Sequence, residues 1–382
     1  LQDAVDEQFG GPGSGFFRIV TSPQEARQAI ADGKLAVVLG VEVSELFNCG
    51  LNDIWERFLK GTVLSDADFE CDWNDVDQEL DALHDLGVHS LFPVHRFDNK
   101  FAGTALETGI FAYGNAISSG HLFKTEACDK NTKGAEFSGP PVFGEGAGVL
   151  LQEGLKLVGI RTDFRLLDYD GDIDHCNMRG LSPLGVYLVN RMMDKNMLIA
   201  VDHTSAKAFG DILNIASKRN YSGLVSSHSW THVQPNDASL HPNMERLLKM
   251  GGFAAPYHAN VTKRYEVQGK RSFFIDKGIS RYLDVIKDTS YVQGVGVGSD
   301  ISGLGGQPGP RNTIDVDPLQ YPFVSEFGLK FYRQQTGNRV FDFNKDGMAH
   351  YGMMADNLED IRQRGDAGTY DAIMNSAEAY LQ

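Results

Sequence analysis

The chain lacks the features that would place it in several large functional classes. No apolar run approaches the roughly 20 residues that a membrane-spanning helix needs. Cations are too few to attract polyanions: 35 Lys and Arg stand against 51 Asp and Glu, a net charge of -16 at pH 7. That balance argues against sequence-independent binding to nucleic acid or to an anionic membrane. Cysteine is scarce, with four residues and no C-x-x-C pair, which argues against a structural zinc knuckle. There is no low-complexity tract, and no repeat beyond the short period described below. The first residues, Leu-Gln-Asp-Ala-Val-Asp, are neither an initiator methionine nor a signal peptide, so we read the chain as mature, truncated or preceded by more sequence.

What is present is a globular composition. The 382 residues are 42% hydrophobic and 23% charged, enough to bury a sizeable core. Cys49 and Cys71 bracket one turn-rich loop, and Cys128 and Cys176 bracket another. Both pairs are expected to close loops as disulfides in an oxidising compartment, extracellular or periplasmic. Four buried free thiols are the competing reading.

Along the chain one unit recurs. Ser22-Pro-Gln-Glu25 is a helix start, with Ser as N-cap, Pro in the first turn and Glu completing a capping box. The helix should stop near Gly33, before the continuous apolar run Leu35–Glu42. A run of that kind is expected of a strand buried on both faces. Helical patterns at 76–86, 184–195, 206–217, 244–250 and 280–287 precede short apolar segments at 88–95, 197–203, 223–228, 252–258 and 292–300. Alternation of helix and short apolar strand predicts a parallel sheet. The segments end in Glu42, His95, His203, His228, His258 and Asp300, each able to bind a metal or move a proton. In a (β/α)8 barrel the strand C-termini converge on one face, where active sites sit. Residues 44–75 and about 113–178 break the rhythm and read as insertions above that face. The expectation is one barrel domain over residues 1–382.

His203 and His228 can meet at one ion, Glu42 can bridge two, and Asp300 closes the set from the last strand. Imidazoles with carboxylates on a barrel rim suit zinc, which lowers the pKa of bound water to about 7 and polarises a carbonyl. Weaker signals are discounted. The alternating oxygens of Asp168–Asp174 and of Asp342–Gly347 lack the glutamate of an EF-hand and read as Asp-rich turns. Gly294-Val-Gly-Val-Gly298 lacks the following helix of a dinucleotide loop.

The segments Leu39-Gly-Val-Glu42, Pro93-Val-His95-Arg-Phe-Asp-Asn99, Arg179-Gly-Leu-Ser-Pro-Leu-Gly185, Val201-Asp-His203-Thr-Ser205, Ser227-His228-Ser229 and Val297-Gly-Ser-Asp300 occur in an order that resembles the membrane dipeptidase (renal dipeptidase) family of the amidohydrolase superfamily. The resemblance is strongest to its large secreted bacterial branch, which ends in a stretch like Asp346-Gly-Met-Ala-His-Tyr-Gly352. It implies a TIM-type α/β barrel with two zinc ions. Glu42 would be the bridging carboxylate, and His203 and His228 ligands of one zinc. Asp300 would be a ligand of the other and a proton carrier, while His95 polarises the substrate carbonyl. The implied substrate is a small peptide or amide.

Two features depart from the family's pattern. No His-x-Asp or His-x-His precedes Glu42, so Glu42 would end the third strand. The first two strands would then come from an upstream segment or a separate chain. The arginine expected about eleven residues after His228 is absent from Asn236–His241. A homodimer is compatible with all of this. Hydrolysis of an ester, lactone or phosphoester on the same site is the alternative enzymatic reading, and a secreted binding or assembly protein on a degraded barrel is the non-enzymatic one.

Overall fold

The computed structural model describes residues 1–51, 71–106, 110–119, 123–128, 175–229, 240–257, 264–267, 270–301, 306–311 and 317–382. Most of the expected insertion at 113–178, the Asp168–Asp174 turn and His258 lie outside them. The described chain falls into two compact units. The first comprises residues 1–225, 241–252 and 381, the second 226–240, 253–380 and 382.

In the first unit β1 (Phe17–Ile19) pairs in parallel with β2 (Leu35–Val37). Strand β1 was not anticipated from the sequence, and it lies upstream of Glu42. After β3 (Leu39–Val41), β4 (Val88–Leu91), β7 (Leu198–Ala200) and β8 (Leu224–Ser229), of which only Leu224 and Val225 fall in this unit, the pairings run β3 to β4 to β7 to β8, all parallel. Parallel neighbours require crossovers. These contain the helices Trp73–Asp85, Pro183–Asp194 and Ala206–Lys218, at the places the periodicity predicts. The architecture is therefore α/β with a parallel sheet; among the described residues it is not a closed barrel.

Each crossover helix starts where its sequence has a cap. Asp72 accepts from the backbone of Asn74 and Asp75, and Asp75 returns the bond to the Asp72 N–H. Ser182 accepts from Gly185 N and Ser205 from Ala208 N. Caps of this kind satisfy amides that the helix itself leaves open, worth about 1 kcal/mol each. At Ser22 the expected box is altered: Ser22 Oγ accepts from Glu25 N, but the Glu25 carboxylate turns back to the amide and hydroxyl of Thr21.

Burial corrects one expectation. Ile199, Ala200, Leu91 and Leu224 are fully enclosed, whereas Leu35 is 53% exposed and β3 is only partly covered. The Leu35–Glu42 run is thus not buried on both faces. In the described sheet β3 has β4 as its one ladder partner, so its far side is not covered by another strand of that sheet.

Close backbone approach shapes the segment between β4 and β7. A β-carbon on Gly185, in the first turn of its helix, would lie 2.0 Å from the carbonyl oxygen of Phe101. Here glycine is required for helix and loop to touch, and Phe101 is fully buried beneath. Antiparallel β5 (Thr125–Ala127) and β6 (His175–Asn177) form a ribbon joined by the disulfide Cys128–Cys176, and Cys49–Cys71 is the second disulfide. Both pairings are those the sequence predicts.

The second unit contains β9 (Phe253–Pro256), bonded to the extended segment 296–298 through Gly296 N to Ala254 O and Gly298 N to Pro256 O, each 2.9 Å. Its C-terminal part closes around Leu319, Phe323, Phe341, Phe343, Met348 and Met353. The Asp342–Gly347 stretch is a capped turn: Asp342 accepts from Asn344 N, and Asp346 accepts from Asp342 N. No helix among the described residues is long and apolar enough to cross a membrane.

Peptide mapping without reductant should recover Cys49 linked to Cys71 and Cys128 linked to Cys176; four thiols alkylated in the native protein would contradict the structure. Gly185→Ala should lower the free energy of unfolding by about 1–3 kcal/mol through overpacking against Phe101, read as a shift of the urea midpoint.

Candidate metal centre

Three residues follow the C-terminal ends of adjacent parallel strands in the first unit: Glu42 after β3, His95 after β4 and His203 after β7. Strand direction therefore carries all three to one edge of the sheet. Nε2 of His203 lies 3.1 Å from Oε1 of Glu42, and Nε2 of His95 lies 3.5 Å from the same oxygen. The two imidazoles meet edge to face, their centroids 4.5 Å apart at 87°. One ligand atom from each residue fits within 4.8 Å of the others. The His203 side chain is 2% exposed, those of His95 and Glu42 about a quarter, so the group has a buried floor and an open side.

The two donor spacings to Glu42 suit a divalent ion. Bonds of about 2.0–2.1 Å at tetrahedral angles place neighbouring donors about 3.3 Å apart, and the observed 3.1 and 3.5 Å bracket that spacing. Two imidazole nitrogens and one carboxylate oxygen leave a fourth position for water or substrate.

The backbone beneath is held by a polar knot. The hydroxyl of Thr104 lies against two carbonyl oxygens, that of His95 and, at 2.8 Å, that of His203. The Ala105 amide donates to the same His203 carbonyl at 2.7 Å. Thr104 is fully buried, its amide donating to Asp98 and its carbonyl accepting from Asn177 Nδ2. Asn177 Nδ2 also reaches Asp98 Oδ1 at 2.8 Å. His203 has φ of 62°, a left-handed conformation uncommon for a residue with a side chain. It is fixed between Val201, whose carbonyl accepts from the Thr204 amide and hydroxyl, and Ser205, which caps the next helix. Backbone held in this region costs about 1–3 kcal/mol and gathers at functional sites.

The motif Pro93–Asn99 thus has a scaffolding role beside His95. Asn99 donates to the carbonyls of Ser44 and Pro93 and accepts from the amides of Phe101 and Ala102. Arg179 Nη2 donates to the Asn99 carbonyl. Thr104 and Asn177 were not singled out in the sequence. Neither stands in a recognisable spacing, since their importance arises from contacts about 70 to 100 residues away.

His228 and Asp300 belong to the second unit. There a β-carbon on Gly298 would lie 2.7 Å from Cα of His228 and 2.6 Å from the Ala255 carbonyl. Glycine at this position lets the segment leading to Asp300 lie directly on the His228 backbone. Asp300 is also in the left-handed region, with φ of 44°. Burial, and then the negative charge of Asp300, push the Tyr257 phenol above its ordinary pKa.

No protein-family model matches the chain, and no curated protein does. Among solved structures it is similar to dipeptidase AC, a metallopeptidase, at 15% identity over 96% of this chain and 70% of that one, with a TM-score of 0.44. It is similar to an amidohydrolase from Pseudomonas aeruginosa at 12% identity over 96% of this chain and 78% of that one, with a TM-score of 0.42. A metallopeptidase from Rhodobacter sphaeroides, solved with a phosphinate mimic of the dipeptide L-Ala-D-Ala, is 17% identical over 75% of this chain and 56% of its own length, with a TM-score of 0.38.

Thr104→Val keeps the shape but removes the hydroxyl shared by the two histidine carbonyls. It should lower stability by about 1–2 kcal/mol, with Thr104→Ser largely restoring it, as read from urea unfolding. Equal stability of all three proteins would show that the knot contributes nothing.

Proposed function

We propose that the protein is a metal-dependent hydrolase of small peptides or amides, with zinc as its ion. The observation that carries this reading is the convergence of two imidazole Nε2 atoms on one oxygen of Glu42, at 3.1 and 3.5 Å. The ordered set of dipeptidase-like motifs supports it. Glu42 and His203 would hold an ion. On the resemblance, His228 would be a further ligand, and Asp300 a ligand of a second ion. When bound, the ion polarises a carbonyl and lowers the pKa of a water molecule.

The chain's own groups do the rest. His95 donates a hydrogen bond from Nε2 toward the oxygen of the scissile carbonyl, where negative charge develops, an interaction worth several kcal/mol. On the resemblance, Asp300 would accept a proton from the attacking water and return it to the leaving amine. The buried floor at His203 keeps one side of the group dry. The two disulfides support an extracytoplasmic location, extracellular or periplasmic.

His95 Nε2 also faces Glu42 Oε1, which gives a specific second role, that of a third metal donor. The two roles separate by experiment. Protein as isolated should carry tightly held zinc, and chelation should abolish hydrolysis of a dipeptide panel, with zinc restoring it. His203→Ala should lose metal and activity together. His95→Ala should keep its metal and lose turnover by about 100-fold or more; loss of metal instead assigns His95 as a ligand. Protein without metal, or with hydrolysis indifferent to chelation, would overturn the proposal.

A further inference from the structure

At the start of β4, the end of the strand opposite to the one that leads into His95, two further histidines meet. His84 stands in the last turn of the helix Trp73–Asp85, and His89 is the second residue of β4. Between them the chain turns back on itself. The Leu86 amide donates to the Ala82 carbonyl, the Gly87 amide donates to that of His84, and Gly87 takes φ of 86°. Glycine adopts this left-handed step without strain. The turn brings the two imidazoles together, their centroids 4.9 Å apart at 37°.

Each ring has one nitrogen engaged and one to offer. Nδ1 of His89 lies 3.2 Å from the Gly87 carbonyl. A carbonyl can only accept, so Nδ1 carries the proton and Nε2 keeps its lone pair. Metal-binding histidines commonly donate their second N–H to a backbone carbonyl in this way. Nδ1 of His84 faces the Asp85 carboxylate at 4.0 Å, which leaves Nε2 of that ring as well. Neither Nε2 has a hydrogen-bond partner among the described residues, and both rings reach solvent, His84 with 32% of its side chain exposed.

The ring spacing suits a shared ion. Bonds of about 2.0–2.1 Å put an ion about 3.2 Å from each ring centre, so two imidazoles on one ion have centroids about 4.5 Å apart at a right angle and about 5.2 Å at the tetrahedral angle. The observed 4.9 Å lies between these values. Negative charge flanks the pair. Asp85 lies beside His84, and Glu25 lies near enough to His89 to sense its charge. The Glu25 carboxyl is held below its ordinary pKa first by the Thr21 amide and hydroxyl, and to a smaller degree by His89.

We propose that His84 and His89 form a divalent transition-metal site separate from the candidate centre, binding an ion such as zinc or copper(II) through their two Nε2 atoms, with water in the remaining positions. Imidazole nitrogen suits these ions. Two neutral ligands make a site that fills and empties with the free ion. An ion there joins the end of the helix to the start of the strand, so occupancy stabilises the folded chain by mass action. The site shares no residue with Glu42, His95 and His203, and it stands or fails apart from the hydrolase reading.

The test is acylation of the full-length protein by diethyl pyrocarbonate at about pH 8, where an ordinary imidazole is neutral, with each histidine followed separately by mass spectrometry. In titrations with zinc and with copper(II), His84 and His89 should lose reactivity along one curve. Their rates should fall about tenfold once the free ion reaches about ten times its Kd. In His84→Ala the ion should no longer protect His89, and in His89→Ala it should no longer protect His84, with unchanged circular dichroism showing that the fold is retained. His203→Ala, which alters the candidate centre, should leave the curve in place. Rates at both histidines that neither ion changes would overturn the proposal. So would protection of His89 that survives His84→Ala, which would place the ion elsewhere.

Discussion

Two histidine carbonyls, from His95 and His203, meet the single hydroxyl of Thr104. These histidines end loops from β4 and β7, 108 residues apart in sequence, and nothing local relates them. A buried carbonyl must find a donor or bear the desolvation penalty. The Ala105 amide serves the His203 carbonyl, which leaves the one hydroxyl proton of Thr104 for that of His95, and these contacts together hold one loop against the other. The knot is in turn enclosed by Asp98, Asn177 and Asn99, whose bonds are made chiefly to backbone. The candidate centre is therefore built from main-chain satisfaction outward, and its ligand geometry is a consequence of that accounting.

The crossover helices and their parallel strands were legible because their signals are local. Ser182-Pro183 and Ser205 cap where their residue types predict, and apolar periodicity locates each helix within a few residues. The disulfide pairs were legible from their brackets. Glu42, His95 and His203 were legible as strand-terminal residues. The exposure of Leu35 was not, because a continuous apolar run looks the same in a central strand and at the end of a ladder. Strand β1 was missed for a related reason: Phe17-Arg-Ile19 is too short to show a period.

Thr104 and Asn177 were invisible for a different reason. Their roles depend on which distant backbone groups the fold brings near, and composition carries no trace of that. The left-handed backbone of His203 and Asp300 is equally silent in the sequence, yet both residues had been marked by their chemistry. The same conformation occurs at Phe47, Asn48, Asn196 and Asn220, so backbone geometry alone does not single these two residues out. At Asp342–Gly347 the suggestive oxygens are consumed by the turn's own amides.

The central claim is that Glu42 and His203 are ligands of one ion. X-ray absorption at the zinc edge on the loaded protein measures this directly. The account predicts imidazole nitrogen and carboxylate oxygen neighbours at about 2.0–2.2 Å, with the imidazole contribution reduced in His203→Ala and the oxygen contribution altered in Glu42→Gln. A zinc environment unchanged by both substitutions would contradict it, and would leave the Glu42–His203 contact as an ion pair without a metal.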